Sequence, residues 1–281
     1  MKKFWKAVGT ALLYFAVFMG IQFLVTMAGT LILLGNLVFT QGSGIFQNVD
    51  HFHGALMDLL MENMTFLVLA SNLITIGVFY LIQKLRHRKF CREIGLQKTT
   101  GRNLVMSMIF ATGVCFFMDL LTAILPVSEQ TMENFETQHG MLWFGDAGIT
   151  FLSVALIGPV SEEICFRGLI YGSFKKTMKP WLAGILSAVL FGLAHGDLVW
   201  FLVSFSAGLF LCWVFETTGS LLCPITVHVT NNAISSMTAY VAMPEGLHKI
   251  LLYSSILVVL ASGAILKKSA GQERKKEESA A

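Results

Sequence analysis

The sequence predicts an all-α protein, a polytopic transmembrane helical bundle of about eight spans with both termini cytoplasmic. Three observations carry that reading. Of 281 residues, 55% are hydrophobic and only 13% charged, against about 25% charged in an ordinary soluble domain. The apolar residues fall in runs near the roughly 20 needed to cross a bilayer. Lys and Arg gather in a few short segments while alternate connections lack them, the asymmetry of the positive-inside rule.

Eight runs meet the length criterion approximately: 8–34, 63–83, 103–125, 147–173, 181–196, 198–216, 221–242 and 249–266. The first follows Lys2, Lys3 and Lys6. It is much longer than the 7–15 apolar residues of a secretion signal, so it reads as a retained anchor. The second ends in a basic segment from Lys84 to Arg102. This segment sets topology, or else lies as a short amphipathic piece on an anionic leaflet. Lys175, Lys176 and Lys179 follow the fourth run, and Lys267 and Lys268 follow the last. If every run crosses, all these cations share one side, and the acidic connections 35–62 and 126–146, which carry Asp50, Asp58, Glu62, Glu129, Glu133 and Glu136, lie on the other. The tail from Lys267 to Ala281 reads as a solvated or disordered end. The chain thus divides into N-terminal helices with their basic loop (1–146), a polar-motif segment (147–242), and a last span with its tail (243–281), all within one bundle.

Several function classes drop out. A net charge of +3 and the lack of a basic stripe interleaved with aromatics exclude a nucleic-acid partner. The five cysteines, Cys91, Cys115, Cys165, Cys212 and Cys223, form no CxxC pair and read as free thiols. His51, His53, His87, His139 and His248 fall in loops or at helix ends and read as surface residues. Asp119, Asp146 and Glu216 read as solvated carboxylates near helix ends.

The informative residues are charges inside apolar runs. Glu162, Glu163 and Arg167 lie in SEEICFRG, Phe191 and His195 in FGLAHG, and His228 and Asn232 in HVTNN. Each ionised side chain at mid-bilayer costs roughly 2.5–3.5 kcal/mol, so such a cluster needs partners or a function. At about 1.5 Å per residue, Glu162 lies about 20 Å in from Lys175, His195 about 22 Å from Pro180, and His228 and Asn232 about 14 and 20 Å from Gly219. Three separate stretches therefore reach one depth.

Helical spacing divides the roles. Glu163 and Arg167 are i and i+4 and can neutralise each other. Glu162 is rotated by about 100° from Glu163 and is the carboxylate left free for general-base work. Phe191 and His195 share a face, as do His228 and Asn232, with Phe191 reading as pocket wall. Gly184, Ala188, Gly192 and Gly196 recur every fourth position and allow close approach of a neighbouring helix. Gly158 and Pro159 should kink the helix just before the acids. Two chemistries remain open on these residues. Glu162, His195 and His228 could hold a divalent metal such as zinc with an open fourth position. Alternatively, Glu162 and His195 activate water without a metal, while His228 and Asn232 stabilise an oxyanion.

The order EExxxR, FxxxH and HxxxN on separate membrane helices resembles the three motifs of the CPBP family of intramembrane proteases, which includes type II CAAX prenyl endopeptidases and bacteriocin self-immunity proteins. The resemblance covers Ala147 to Tyr240. It implies that Glu162 and His195 activate the attacking water, that Glu163 and Arg167 organise the first motif, and that His228 and Asn232 support the substrate carbonyl or a metal. The implied partner is a membrane-anchored peptide or protein, whether a prenylated CaaX tail, a pheromone or a bacteriocin-type precursor, cut within a bacterial plasma membrane. Two readings from other classes stand beside it. One is a proton-coupled transporter relaying protons through the same acids and histidines. The other is a non-catalytic immunity or scaffold protein.

Overall fold

A computed structural model describes residues 1–42, 46, 48–141, 146–241 and 243–280. The ends of the segments expected at 147–242 and 243–281, and part of the connection 126–146, lie outside the described residues. Among the described residues ten helices follow one another: α1 (Lys2–Gln41), α2 (Val49–Leu85), α3 (Phe90–Glu93), α4 (Gly101–Ala123), α5 (Glu129–Met141), α6 (Ala147–Lys175), α7 (Pro180–Leu193), α8 (Leu198–Thr218), α9 (Leu222–Tyr240) and α10 (Glu245–Ala280). No strand occurs among the described residues. Among the described residues six helices, α1, α2, α4, α6, α8 and α10, are long and apolar enough to cross a membrane. The chain is an integral, multi-pass helical membrane protein. The runs expected at 181–196 and 221–242 are helices too, but α7 has only 14 residues and α9 carries His228, Asn231 and Asn232.

Local chemistry sets the helix ends. Asn48, Thr100 and Asp197 cap α2, α4 and α8 by accepting the backbone N–H three residues on. Pro180 opens α7, where a missing N–H costs nothing. Gly219 closes α8 in the left-handed region at φ 71°, its N–H returning to the Phe215 carbonyl.

α6 is the hub and packs against α1, α2, α7 and α9, while α4 is held between α9 and α10. The α7–α8 contact uses the small-residue stripe: Gly192 lies against Phe201, Ala188 against Gly208, and Gly184 near Cys212. Gly196 has left the helix, at φ 104°. Apolar side chains such as Phe23, Leu24, Leu31 and Ile32 of α1 point outward, as expected of a surface that meets lipid.

Several expectations need correction. The connection 35–62 is mostly helix, because α1 continues to Gln41 and α2 begins at Val49. At about 1.5 Å per residue both helices outrun a bilayer core of about 30 Å, so Asp50, Asp58 and Glu62 ride on a helical extension. The tail is not disordered over its described length. α10 runs to Ala280 with Leu266 and Ala270 buried, and Glu273 accepts a hydrogen bond of 2.5 Å from Asn103. The segment 84–102 is docked on the bundle rather than lying apart from it. Its single helical turn, α3, leads to Ile94, which is buried against Gly168 of α6. The Gly95 and Gln97 carbonyls accept from Leu221 N–H and the Ser220 hydroxyl. Glu216 is a paired carboxylate, accepting from Tyr171 Oη at 2.6 Å and Lys175 Nζ at 2.5 Å.

Candidate active site

The first motif lies in an unusual piece of helix. Within α6, residues Phe151–Ile157 and Ile164–Tyr171 are π-helical, flanking the α-helical turn Gly158–Glu163. Pro159 has no N–H, so the α-helical ladder lacks a donor there. Gly158 N–H bonds instead to Ser153 carbonyl, a π-type closure. The helix widens there, and both motif acids sit on the turn between the two wide segments.

Glu163 and Arg167 are both fully buried, with Arg167 Nη1 3.1 Å from Glu163 Oε1. None of the guanidinium nitrogens has an aligned hydrogen-bond acceptor among the described residues, so this contact is chiefly one of charge. The guanidinium also lies over the Phe191 ring, 4.3 Å from its centroid. The same Glu163 oxygen receives His228 Nδ1 at 2.9 Å. His228 turns its other nitrogen, Nε2, toward Glu162 Oε2 at 3.7 Å. Glu162 forms no ion pair with Arg167 among the described residues and is 21% exposed, the wetter of the two acids.

Phe191 joins the remaining parts. Its ring stands edge-to-face with His195 at 4.6 Å and with His228 at 5.8 Å between centroids. His195 Nδ1 lies 2.7 Å from the Phe191 carbonyl. A carbonyl only accepts, so this contact assigns the proton to Nδ1 and leaves the Nε2 lone pair free. Asn232 donates from Nδ2 to the Val154 carbonyl at 2.9 Å, clamping α9 to the first π segment. Its amide is therefore partly committed and is not simply free to meet an oxyanion.

The suggested metal set is not assembled. Among the described residues no group of three His, Cys, Asp or Glu side chains gathers to hold an ion. His228 Nε2 faces Glu162 while its Nδ1 is held by Glu163, and no step is routed through a metal.

Other residues were not visible in the motifs. Trp200, at the start of α8, stacks on His195 at 6.3 Å and 26°. Phe135 and His139 of α5 then pack on Trp200 at 5.0 and 5.7 Å. His139 is therefore not a free surface residue. Burial in this aromatic contact holds its pKa below the ordinary histidine value. Ser153 and Ser161 bury hydroxyls without hydrogen-bond partners among the described residues. Only their position near the motif could have flagged them.

The fold and site thus define a multi-pass membrane protein with a buried Glu/Arg/His cluster, and part of the chain is similar to membrane proteases. Residues 145–234 match the model of the family described as "Type II CAAX prenyl endopeptidase Rce1-like". It is 32% identical over 78 residues to YdiL of Bacillus subtilis, a match covering 28% of this chain and 32% of YdiL. It is 32% identical over 85 residues to the membrane-embedded CAAX protease MroQ of Staphylococcus aureus, covering 28% of this chain and 34% of MroQ. YxdF of Lactococcus lactis is 29% identical over 148 residues, covering 50% of this chain and 82% of that protein. The chain therefore spans only about a third of the length of YdiL and MroQ. No solved structure matches it.

Proposed function

We propose that this chain is an intramembrane endopeptidase that hydrolyses a peptide bond of a membrane-anchored substrate. The observation that carries the proposal is the asymmetry of the two acids. Glu163 is spent on Arg167 and His228, whereas Glu162 is partly exposed beside them. Glu162 takes one proton of a bound water while the other O–H donates a hydrogen bond to the His195 Nε2 lone pair, so the water oxygen is aimed and its hydroxide attacks the scissile carbonyl. The proton taken by Glu162 is then delivered to the departing amine. His228 is oriented through Nδ1 by Glu163, and the amide hydrogen of Asn232 not used on Val154 serves the developing oxyanion. Phe191 fixes both imidazoles and forms the wall of the pocket.

The name of MroQ and the family description support a CaaX-type or other membrane-tethered peptide as the substrate class. The one-sided Lys and Arg distribution supports cytoplasmic termini, and relatives in Bacillus, Lactococcus and Staphylococcus support a bacterial plasma membrane.

The test is cleavage of a panel of membrane-anchored peptides by purified protein in detergent, followed by mass spectrometry. Glu162→Ala and His195→Ala should each lower turnover by about 10²–10⁴-fold, the range for losing general-base catalysis, with an unchanged elution profile. Normal turnover by either variant refutes the proposal.

A further inference from the structure

The end of the bundle that carries the basic segment contains two adjoining hollows that the catalytic proposal does not use. One, of about 450 Å³, is lined by His87, Arg88, Lys89, Arg92, Glu93, Gly172 and Lys176. The other, of about 390 Å³, shares Arg92, Glu93 and Gly172 and extends to Lys175 and Glu216. We propose that the cleft between the α2–α3 connection and the end of α6 is a binding site for a phosphate anion, with the headgroup of an anionic phospholipid as its occupant.

Charge bookkeeping within the first hollow comes first. Arg88, Lys89, Arg92 and Lys176 face a single carboxylate, Glu93, so four cations less one anion leave three positive charges, His87 aside. Glu93 takes Arg88 and, at 2.9 Å, Lys176. Among the described residues neither Lys89 nor Arg92 has an acidic partner. Two unpaired cations thus flank a carboxylate that fixes the other two, an arrangement suited to a ligand with several acceptor oxygens.

Backbone geometry supports a shaped site over a loose basic loop. His87 is the only non-glycine among the described residues with φ in the left-handed region, at 54°. Its N–H bonds to the Lys84 carbonyl and that of Arg88 to the Gln83 carbonyl, so the chain reverses sharply at the end of α2. The far side is anchored by Ile94 against Gly168 and by Leu221 N–H on the Gly95 carbonyl. The cations therefore sit on a segment tied down at both ends.

The surroundings favour a lipid source over a free anion. The last turns of α2 expose Leu81 and Leu85, the latter 70% exposed, and Trp181 is exposed just beyond Lys179. Exposed apolar and aromatic side chains next in sequence to the cleft's cations match acyl chains beside a headgroup.

Thermal unfolding of the full-length protein in zwitterionic detergent tests this, titrating short-chain phosphatidylglycerol, matched phosphatidylcholine or inorganic phosphate. Phosphatidylglycerol should raise Tm where phosphatidylcholine does not. In Lys89→Gln/Arg92→Gln its half-saturating concentration should rise about fivefold per cation removed, roughly 25-fold together, on the scale of one surface cation against an anionic leaflet. Lys2→Gln/Lys3→Gln/Lys6→Gln, which removes charge outside the cleft, should leave it unchanged. The count of phosphatidylglycerol molecules retained in native mass spectrometry should fall only in the cleft variant. If inorganic phosphate alone reproduces the full shift, the anion site stands and its occupant is the free ion. Equal loss in the N-terminal variant, an unaltered response in the cleft variant, or no preference over phosphatidylcholine overturns the proposal.

Discussion

Replacing Glu163 by leucine strands the Arg167 guanidinium inside the bundle. Both side chains are fully buried, with 3.1 Å between Nη1 and Oε1, so solvent screening does not soften the loss. Arg167 has no aligned hydrogen-bond acceptor to fall back on among the described residues, and the Phe191 ring at 4.3 Å offers about 2 kcal/mol at best. Breaking a buried pair from one side costs about 3–5 kcal/mol, and Glu163→Leu should fall in that range. Arg167→Met should cost less, because Glu163 keeps His228 at 2.9 Å. The double variant Glu163→Leu/Arg167→Met removes both charges and should regain most of the loss, since an apolar pair of similar volume is often neutral or better. Reversible unfolding of the detergent-solubilised protein, read as a double-mutant cycle, measures the coupling. A coupling energy below about 0.5 kcal/mol, the level of independent sites, would refute the assembled cluster. So would Arg167→Met proving costlier than Glu163→Leu.

Three further outcomes are expected. Gly168→Ala places a Cβ 2.8 Å from the Ile94 Cβ and 3.2 Å from its Cα, so the docked loop must shift, at a cost of about 1–3 kcal/mol; an unchanged melting temperature would contradict that packing. Trp200→Ala removes the surface shared by His195, Phe135 and His139, and should speed hydrogen exchange across 129–141 while total helicity holds; unaltered exchange there would mean that α5 is held by other contacts. For Glu93, burial alone would raise the pKa, but Lys176 and Arg88 outweigh it and the folded value lies below the ordinary one. Its stabilising contribution is thus fully present above the ordinary glutamate pKa of about 4.3 and is lost as pH falls through the lower folded value. Melting curves of wild type and Glu93→Gln should therefore converge on acidification, and parallel curves would show that the pair contributes nothing.

Much of the bundle is legible in composition, because lipid demands continuous apolar helices and each one leaves a run of residues behind. Helix ends are less so, since α1, α2 and α10 continue in polar sequence where no change in hydropathy marks a boundary. The spacing of Glu163 with Arg167 and of Phe191 with His195 is local information, available from the period of the helix. The partners of His228 and Asn232 are not, because each reaches a residue of α6 far away in sequence. Ile94 on Gly168 is hidden for the same reason, and Trp200 on His195, only five residues apart, because the turn between α7 and α8 decides whether they meet. An isoleucine in a basic loop and a tryptophan in an apolar helix carry no sign of what they touch. The π segments are a compromise between the missing N–H of Pro159 and the packing around it, which only the assembled bundle defines.

The family match ends where the walls of the site begin. Residues 145–234 supply the motif side chains, but α6 is enclosed from outside that stretch: Phe15 and Phe18 of α1 pack on Phe166, Asn72 of α2 lies beside Gly158, and Ile94 fills the space at Gly168. α1 is in turn fixed to α2 by Gln83 and Arg86, both donating to Tyr14 Oη at 2.7 and 2.8 Å. The N-terminal half therefore presses on the helix that bears both acids, and a shift in it would move Glu162 and Glu163 against His228. The matched segment carries Glu162, Glu163, His195 and His228, while much of the packing that holds α6 in place comes from Phe15, Phe18, Asn72 and Ile94, outside residues 145–234.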